Sequence, residues 1–206
     1  MANPVLYGFR YAGMQGGVTP KPVACRVASA YQASKGGNVH LHVGDPVVRI
    51  SDGTVTIGAV GNTTIYGVVV SINPFFDSTI NALNWANDYL PGGTTYAAQQ
   101  NESIVMVQPV VPNVPWRCVV DDITTATTYA AYVAFIGENV DFAYNRITSP
   151  GTFANPKLDI STHATTNTLQ WRIQDVPRIP GIDYAASNVE LIVTCNNPQD
   201  IAGTGV

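Results

Sequence analysis

From Leu41 to Ile72 the chain reads LHVGDPVVRISDGTVTIGAVGNTTIYGVVVSI, β-branched runs cut at short intervals by Gly44-Asp45, Asp52-Gly53 and Gly61-Asn62. Apolar runs of this length, separated by turn dipeptides that tolerate positive φ, read as a meander of short antiparallel strands. Val47, Val48 and Ile50 precede the Asp52-Gly53 turn, and Val55 and Ile57 follow it. Ile65 to Ile72 is a longer run, apolar enough to be covered on both faces. The stretch holds no nucleophile, no paired carboxylates and no phosphate-cradling loop, so it reads as scaffold.

The rest of the chain has the same texture. Val23 to Tyr31 is a plausible strand closed by Ser34-Lys35-Gly36-Gly37. Ile104 to Val107 and Arg117 to Val120 flank Pro109, Pro112 and Pro115, which confine the stretch between them to an edge or a loop. Ala130 to Ile136 reads as a buried-type run. Val140, Phe142 and Tyr144 alternate, as do Leu158 and Ile160, and Leu169, Trp171 and Ile173; Val189 to Cys195 closes the series. Asp77 to Leu90 has Asp77 or Ser78 as a helix cap, but Asn81, Asn84, Asn87 and Thr79 lower its propensity, so it reads as a short helix or a long loop. No segment of the second half has a convincing 3.6-residue period. The expected fold is all-β, an antiparallel β-barrel or sandwich with long loops and an extended N-terminal arm.

Residues 1–24 form that arm, with Gly8, Gly13, Gly16 and Gly17 among Pro4, Pro20 and Pro22. It cannot bury a core of its own, yet Tyr7, Phe9 and Tyr11 alternate as on a strand, so it is expected to dock on its own subunit or on a neighbour. Its removal is expected to leave the β core folded. Residues 25–206 make the β domain, as one body or as two lobes, 25–90 and 102–206, divided at the polar connector 91–101.

Composition narrows the function. Charged residues are 12% of the chain, about half the usual share, so Thr, Asn, Ser and Gln supply much of the polar surface. Such a surface repels other copies of itself weakly, which suits assembly. Net charge is −4 and the ten basic residues are scattered from Arg10 to Arg178, whereas phosphate binding wants them clustered; no direct nucleic-acid partner is expected. No apolar run approaches 18 residues and the N-terminal stretch lacks the features of a signal peptide, so no membrane association and synthesis in a reducing cytoplasm are expected. Cys25, Cys118 and Cys195 are odd in number, far apart and set among apolar neighbours, the pattern of buried free thiols.

Candidate chemistry is thin. His40 and His42 would share a face of a strand, but neither Asp45 nor His163 lies at a spacing that supplies a third metal ligand, so no metal site is expected. Asp121-Asp122 point to opposite sides of a strand, and Glu138 with Asp141 is the other close carboxylate cluster. No strained nucleophile elbow occurs, and Cys118 beside Arg117 has neighbours that argue for burial over activation. No catalytic residues and no cofactor are expected. Trp85, Tyr89 and Tyr96 form the best group for an aromatic platform.

The order of several pieces resembles the capsid decoration, or cement, proteins of tailed bacteriophages. The first is Gly44-Asp45-Pro46-Val47-Val48 with Ser51-Asp52-Gly53 and Gly67-Val68-Val69-Val70. Then follow Phe135 to Asp141, Leu158 to Thr162, Leu169 to Ile173 and Val189 to Val193. The resemblance implies a β-barrel-like virion protein, made in the host cytoplasm, that self-associates as a homotrimer and clamps adjacent major capsid protein subunits on the outside of the head. Contacts between subunits are expected from Tyr7, Phe9, Tyr11, Trp85, Tyr89 and Tyr96, in the segments least able to satisfy their own apolar residues. A carbohydrate- or receptor-binding β module stays open as the alternative.

Overall fold

A computed structural model of the chain describes residues 8–13, 20–28, 41–77, 81–85, 89–90, 103–121, 124–144, 156–178, 180–185 and 189–200. Its strands are β1 (Arg10–Tyr11), β2 (Val23–Arg26), β3 (Leu41–His42), β4 (Pro46–Arg49), β5 (Val55–Ile57), β6 (Gly67–Ile72), β7 (Phe75–Asp77), β8 (Ala82–Asn84) and β9 (Tyr89–Leu90). They continue with β10 (Ile104–Pro109), β11 (Pro115–Val119), β12 (Asn139–Tyr144), β13 (Pro156–Ala164), β14 (Trp171–Asp175) and β15 (Glu190–Cys195). A short helix, α1 (Tyr129–Ala134), precedes β12. The fold is all-β as expected. It is a sandwich of two curled antiparallel sheets, one in the order β2-β10-β6-β4-β5 and the other β1-β11-β15-β14-β12-β13, and neither closes as a barrel.

The meander forms as its turn residues dictate. Gly53 takes φ 81°, and Asp52 Oδ1 accepts from the Thr54 N–H at 2.8 Å and the Thr54 hydroxyl at 2.6 Å. Those bonds favour the ionised carboxylate and hold the Asp52 pKa below its ordinary value. β4 and β5 then pair with Val47 opposite Ile57. β6 is covered on both faces: Val69 and Ile72 face the core inside the first sheet, with Val47, Val55, Val105 and Val107, whereas Val68 packs into the core of the second. Gly67 makes the crowding possible, because a Cβ there would lie 2.4 Å from Val107 Cγ1 and 2.7 Å from the Gln108 carbonyl.

The two sheets repeat one another. Setting β1 aside, each has its first strand beside its fifth, then the fourth, second and third, all antiparallel. In each, the first and third strands meet at a single parallel bridge, Val27 with Val55 and Val120 with Leu158. The backbone bonds correspond one for one. Val27 N–H donates to Ser103 O (3.1 Å) and Ala28 N–H to Val55 O (2.8 Å), as Val120 N–H does to Val189 O (2.9 Å) and Asp121 N–H to Leu158 O (2.9 Å). Gly44 and Gly137 share a φ of 95° and donate to Val69 O (2.8 Å) and Ile173 O (2.9 Å). The fourth strand of each is bulged against the fifth at the matching place, beside Val69 and beside Ile173. Cys25 and Cys118 are counterparts, and the same 93 positions separate Cys25 from Cys118, Gly44 from Gly137 and Val47 from Val140. The chain is therefore an internal repeat, with one unit from β2 to β10 and a second from β11 to β15.

Three expectations change. The division at 91–101 does not separate the sheets, because β10 lies beyond it in sequence yet sits between β2 and β6. The described part of 77–90 is strand: β7 and β8 form a hairpin, with Phe75 opposite Asn84, and β9 pairs with β3. Conversely, much of the buried-type run from Ala130 is helical. Thr128 caps α1 by accepting from the Ala131 N–H, and Tyr132 supplies its buried side chain, so one turn and a half gave too short a period to stand out. Of the two docking modes left open for the arm, its described residues 8–13 take the first: they dock on their own chain, and Phe9 completes the second unit's core. Phe9 N–H donates to Gly44 O at 2.9 Å, and the Phe9 ring stacks on Trp171 at 4.2 Å and meets Phe142 edge-on at 6.2 Å.

Because Phe9 is fully buried, the β core is not independent of the arm. Phe9→Ala should destabilise the protein by about 3–5 kcal/mol, the usual cost of emptying a buried aromatic site. Chemical denaturation that returned a change within 0.5 kcal/mol, as surface substitutions do, would show that the arm is dispensable.

Candidate functional site

The groups singled out for chemistry are spent on structure. His42 is buried, and its backbone N–H donates to Asp45 Oδ2 at 2.7 Å, closing the turn into β4; His40 lies outside the described residues. His163 Nδ1 lies 2.6 Å from Glu138 Oε2, with its ring 4.2 Å from that of Phe135, tying β13 to the end of the α1 turn. Asp141 faces Asp159 across the β12–β13 rung. Its Oδ1 accepts from the Phe142 N–H (2.8 Å) and its Oδ2 from the Gly61 N–H (3.1 Å), which pins the loop after β5 against β12. Burial pushes the Asp141 pKa up, against those two bonds, and the neighbouring Asp159 charge adds to the rise. Asp121 donates its backbone N–H to Leu158, and Asp122 lies outside the described residues. Among the described residues no three His, Cys, Asp or Glu side chains converge as a metal-holding group.

All three cysteines are free and buried. Burial drives the Cys118 thiol far above its usual range, against two backbone bonds that lower it, and pushes Cys195 up to about 12. Proximity in sequence to Arg117 does not activate Cys118, because Arg117 points to the other face of β11. There it lies 3.6 Å from Glu190 Oε2 and shares that carboxylate with Arg10, its cross-strand partner on β1. This ion-paired clasp joins the arm to the second unit and was not foreseen: Arg10 and Glu190 are 180 positions apart and no local pattern links the three residues.

The predicted contact residues separate into two kinds. Phe9 is a core residue with no surface left for a partner, and Tyr11 is half-buried with its ring edge-on to Trp116 at 6.2 Å. Tyr89 lies on β9, opposite His42. Tyr7 and Tyr96 lie outside the described residues. Trp85, just past the end of β8, is 73% exposed, and Leu83 on β8 is 56% exposed. Their hairpin is rooted by Phe75, which is buried in the first unit's core, and turns through Asn81 at φ 49°. A tryptophan carries some 150–250 Å² of surface, so Leu83 and Trp85 make an apolar knob on the β7–β8 hairpin. Large apolar groups clustered at one exposed place mark a contact surface more often than scattered ones do.

Thiol reagent at neutral pH should leave the native protein unmodified and find three free thiols once it is denatured. Rapid native labelling at Cys118 or Cys195 would contradict the burial described. Comparison with protein-family models, with curated proteins and with solved structures finds no match to this chain.

Proposed function

We propose that the chain is a structural protein of a tailed-bacteriophage virion, which binds the outside of the head and stabilises contacts between major capsid protein subunits. The exposed Leu83–Trp85 knob carries the reading. A buried tryptophan anchor, ringed by contacts that exclude water, is the usual energetic centre of a protein interface. Supporting it are the resemblance in the order of sequence pieces, the scarcity of charge and the rooting of the hairpin by buried Phe75. Scattered basic residues offer a nucleic acid no footprint. Many weak copies on a shell suffice, because a clamp held at several points must release all of them together.

A second reading rests on the same tryptophan. An exposed indole on a stable sheet also serves as a stacking surface for a sugar ring, and the protein would then be a carbohydrate- or receptor-binding module. A glycan array separates the two.

Under the capsid reading, the double substitution Leu83→Ala with Trp85→Ala should lower co-sedimentation with empty heads at least tenfold. The thermal midpoint should stay within about 2 °C, since neither side chain contributes to a core. Equal recovery of variant and parent with the heads would overturn the assignment of the knob.

A further inference from the structure

The two units differ at one sheet edge. In the second unit the outward edge of β11 is taken by β1, with Arg10 paired to Arg117 and the Ala12 N–H donating to the Pro115 carbonyl at 3.0 Å. The counterpart edge of the first unit, β2 with Pro22 just before it, has no strand beside it among the described residues. Val27 N–H points inward to Ser103 and Ala28 N–H outward to Val55, so Ala24 and Arg26, in phase with Ala28, aim their N–H and C=O groups at the open side. Exposed apolar groups line it. Val23 is 41% exposed where its counterpart Trp116 is fully buried, and on β10 Ile104, 37% exposed, stands where the second unit has Glu190.

We propose that this edge is a self-association surface: β2 of one copy pairs antiparallel with β2 of a second copy about a two-fold axis through Ala24, joining the two five-stranded sheets. The occupant follows from three observations. An added antiparallel strand is what the equivalent edge already accepts within this chain. The self-pairing register centred on Ala24 puts the smallest side chain of the strand at the axis and sets Arg26 opposite Pro22 of the second copy, so no like charges meet on a rung. It also suits the missing N–H of Pro22, whose carbonyl receives the Arg26 N–H as that of Pro115 receives Ala12. The ladder ends where β5 takes over beside Val27 and Ala28. Unpaired strand edges with apolar neighbours are natural templates for such pairing. The Arg10–Glu190–Arg117 clasp explains why β1 does not serve both edges, since Ala24 and Ile104 offer Arg10 neither carboxylate nor partner.

The inference is independent of the capsid reading and is tested without heads. Sedimentation equilibrium of the full chain should give an even multiple of the chain mass. Ala24→Pro, which removes only an outward N–H and leaves the bonds to β10 intact, should halve that mass with an unchanged circular dichroism spectrum. A second variant reads the register directly. Val23 of one copy lies opposite Cys25 of the other in a non-hydrogen-bonded pair, whose Cα atoms are about 4.5 Å apart, within disulfide reach. Val23→Cys should therefore give a covalent dimer on mild oxidation, with peptide mapping locating the link between positions 23 and 25. A monomeric parent, an unchanged mass for Ala24→Pro, or no 23–25 link in the oxidised variant would each overturn the two-fold pairing. In the first case the edge would be left to a strand of another protein.

Discussion

β6 belongs to two cores at once, and the rest of the molecule is arranged around that fact. Val69 and Val68 are adjacent, so their side chains leave opposite faces of the strand, one into the first sheet's interior and the other into the second unit. At Gly67 and Val68 the strand is buried on both faces and its backbone is paired on both sides, to β10 and to β4. Gly67 lets the neighbouring strand come close enough to do this. The counterpart position to Val68 in the second unit is Arg172, which is exposed, so the packing of the units on one another is what separates two otherwise matching strands.

How much of this was legible in the sequence depended on range. The double-sided burial of Ile65–Ile72 showed as an unbroken apolar run, and the Asp52-Gly53 hairpin as a turn dipeptide between alternating strands, because both are set by neighbours in the chain. α1 was not legible, since six residues span too few turns for a 3.6-residue period to outweigh a run of Ala, Tyr and Val. The hairpin around Leu83 was hidden for the opposite reason: its asparagines serve turns and strand ends as readily as they discourage helix. Of the candidate site, Trp85 was singled out as an aromatic in an irregular stretch, and it is exposed. Phe9 looked identical in kind, and only a partner 162 positions away, Trp171, makes it a core residue.

A signal for the repeat was present. Pro22-Val23-Ala24-Cys25-Arg26-Val27 and Pro115-Trp116-Arg117-Cys118-Val119-Val120 share proline, cysteine and valine at matching places, as Val43-Gly44-Asp45-Pro46-Val47 and Ile136-Gly137-Glu138-Asn139-Val140 share glycine, an acid and valine. Each is too short to weigh alone. Their common offset is what gives them meaning, and the glycines recur because both turns need the same positive φ, whereas the acids have diverged. Asp45 is fully buried at its turn, while Glu138 reaches out to His163.

The stacking of Phe9 on Trp171 bears on the order in which the protein can be made. Ribosomes deliver the segment around Phe9, at roughly 5–20 residues per second, before its seat, which is built from Phe142 on β12 and Trp171 on β14. The first unit can curl as soon as β10 is out, whereas Phe9 waits for the strands of the second unit. The entropy of closing so long a loop grows only slowly with its length, so the delay is one of time more than of stability. During that interval the segment and the unfilled β11 edge are both available to other chains, and a ribosome-bound population would be the stage at which neighbouring copies could exchange their arms.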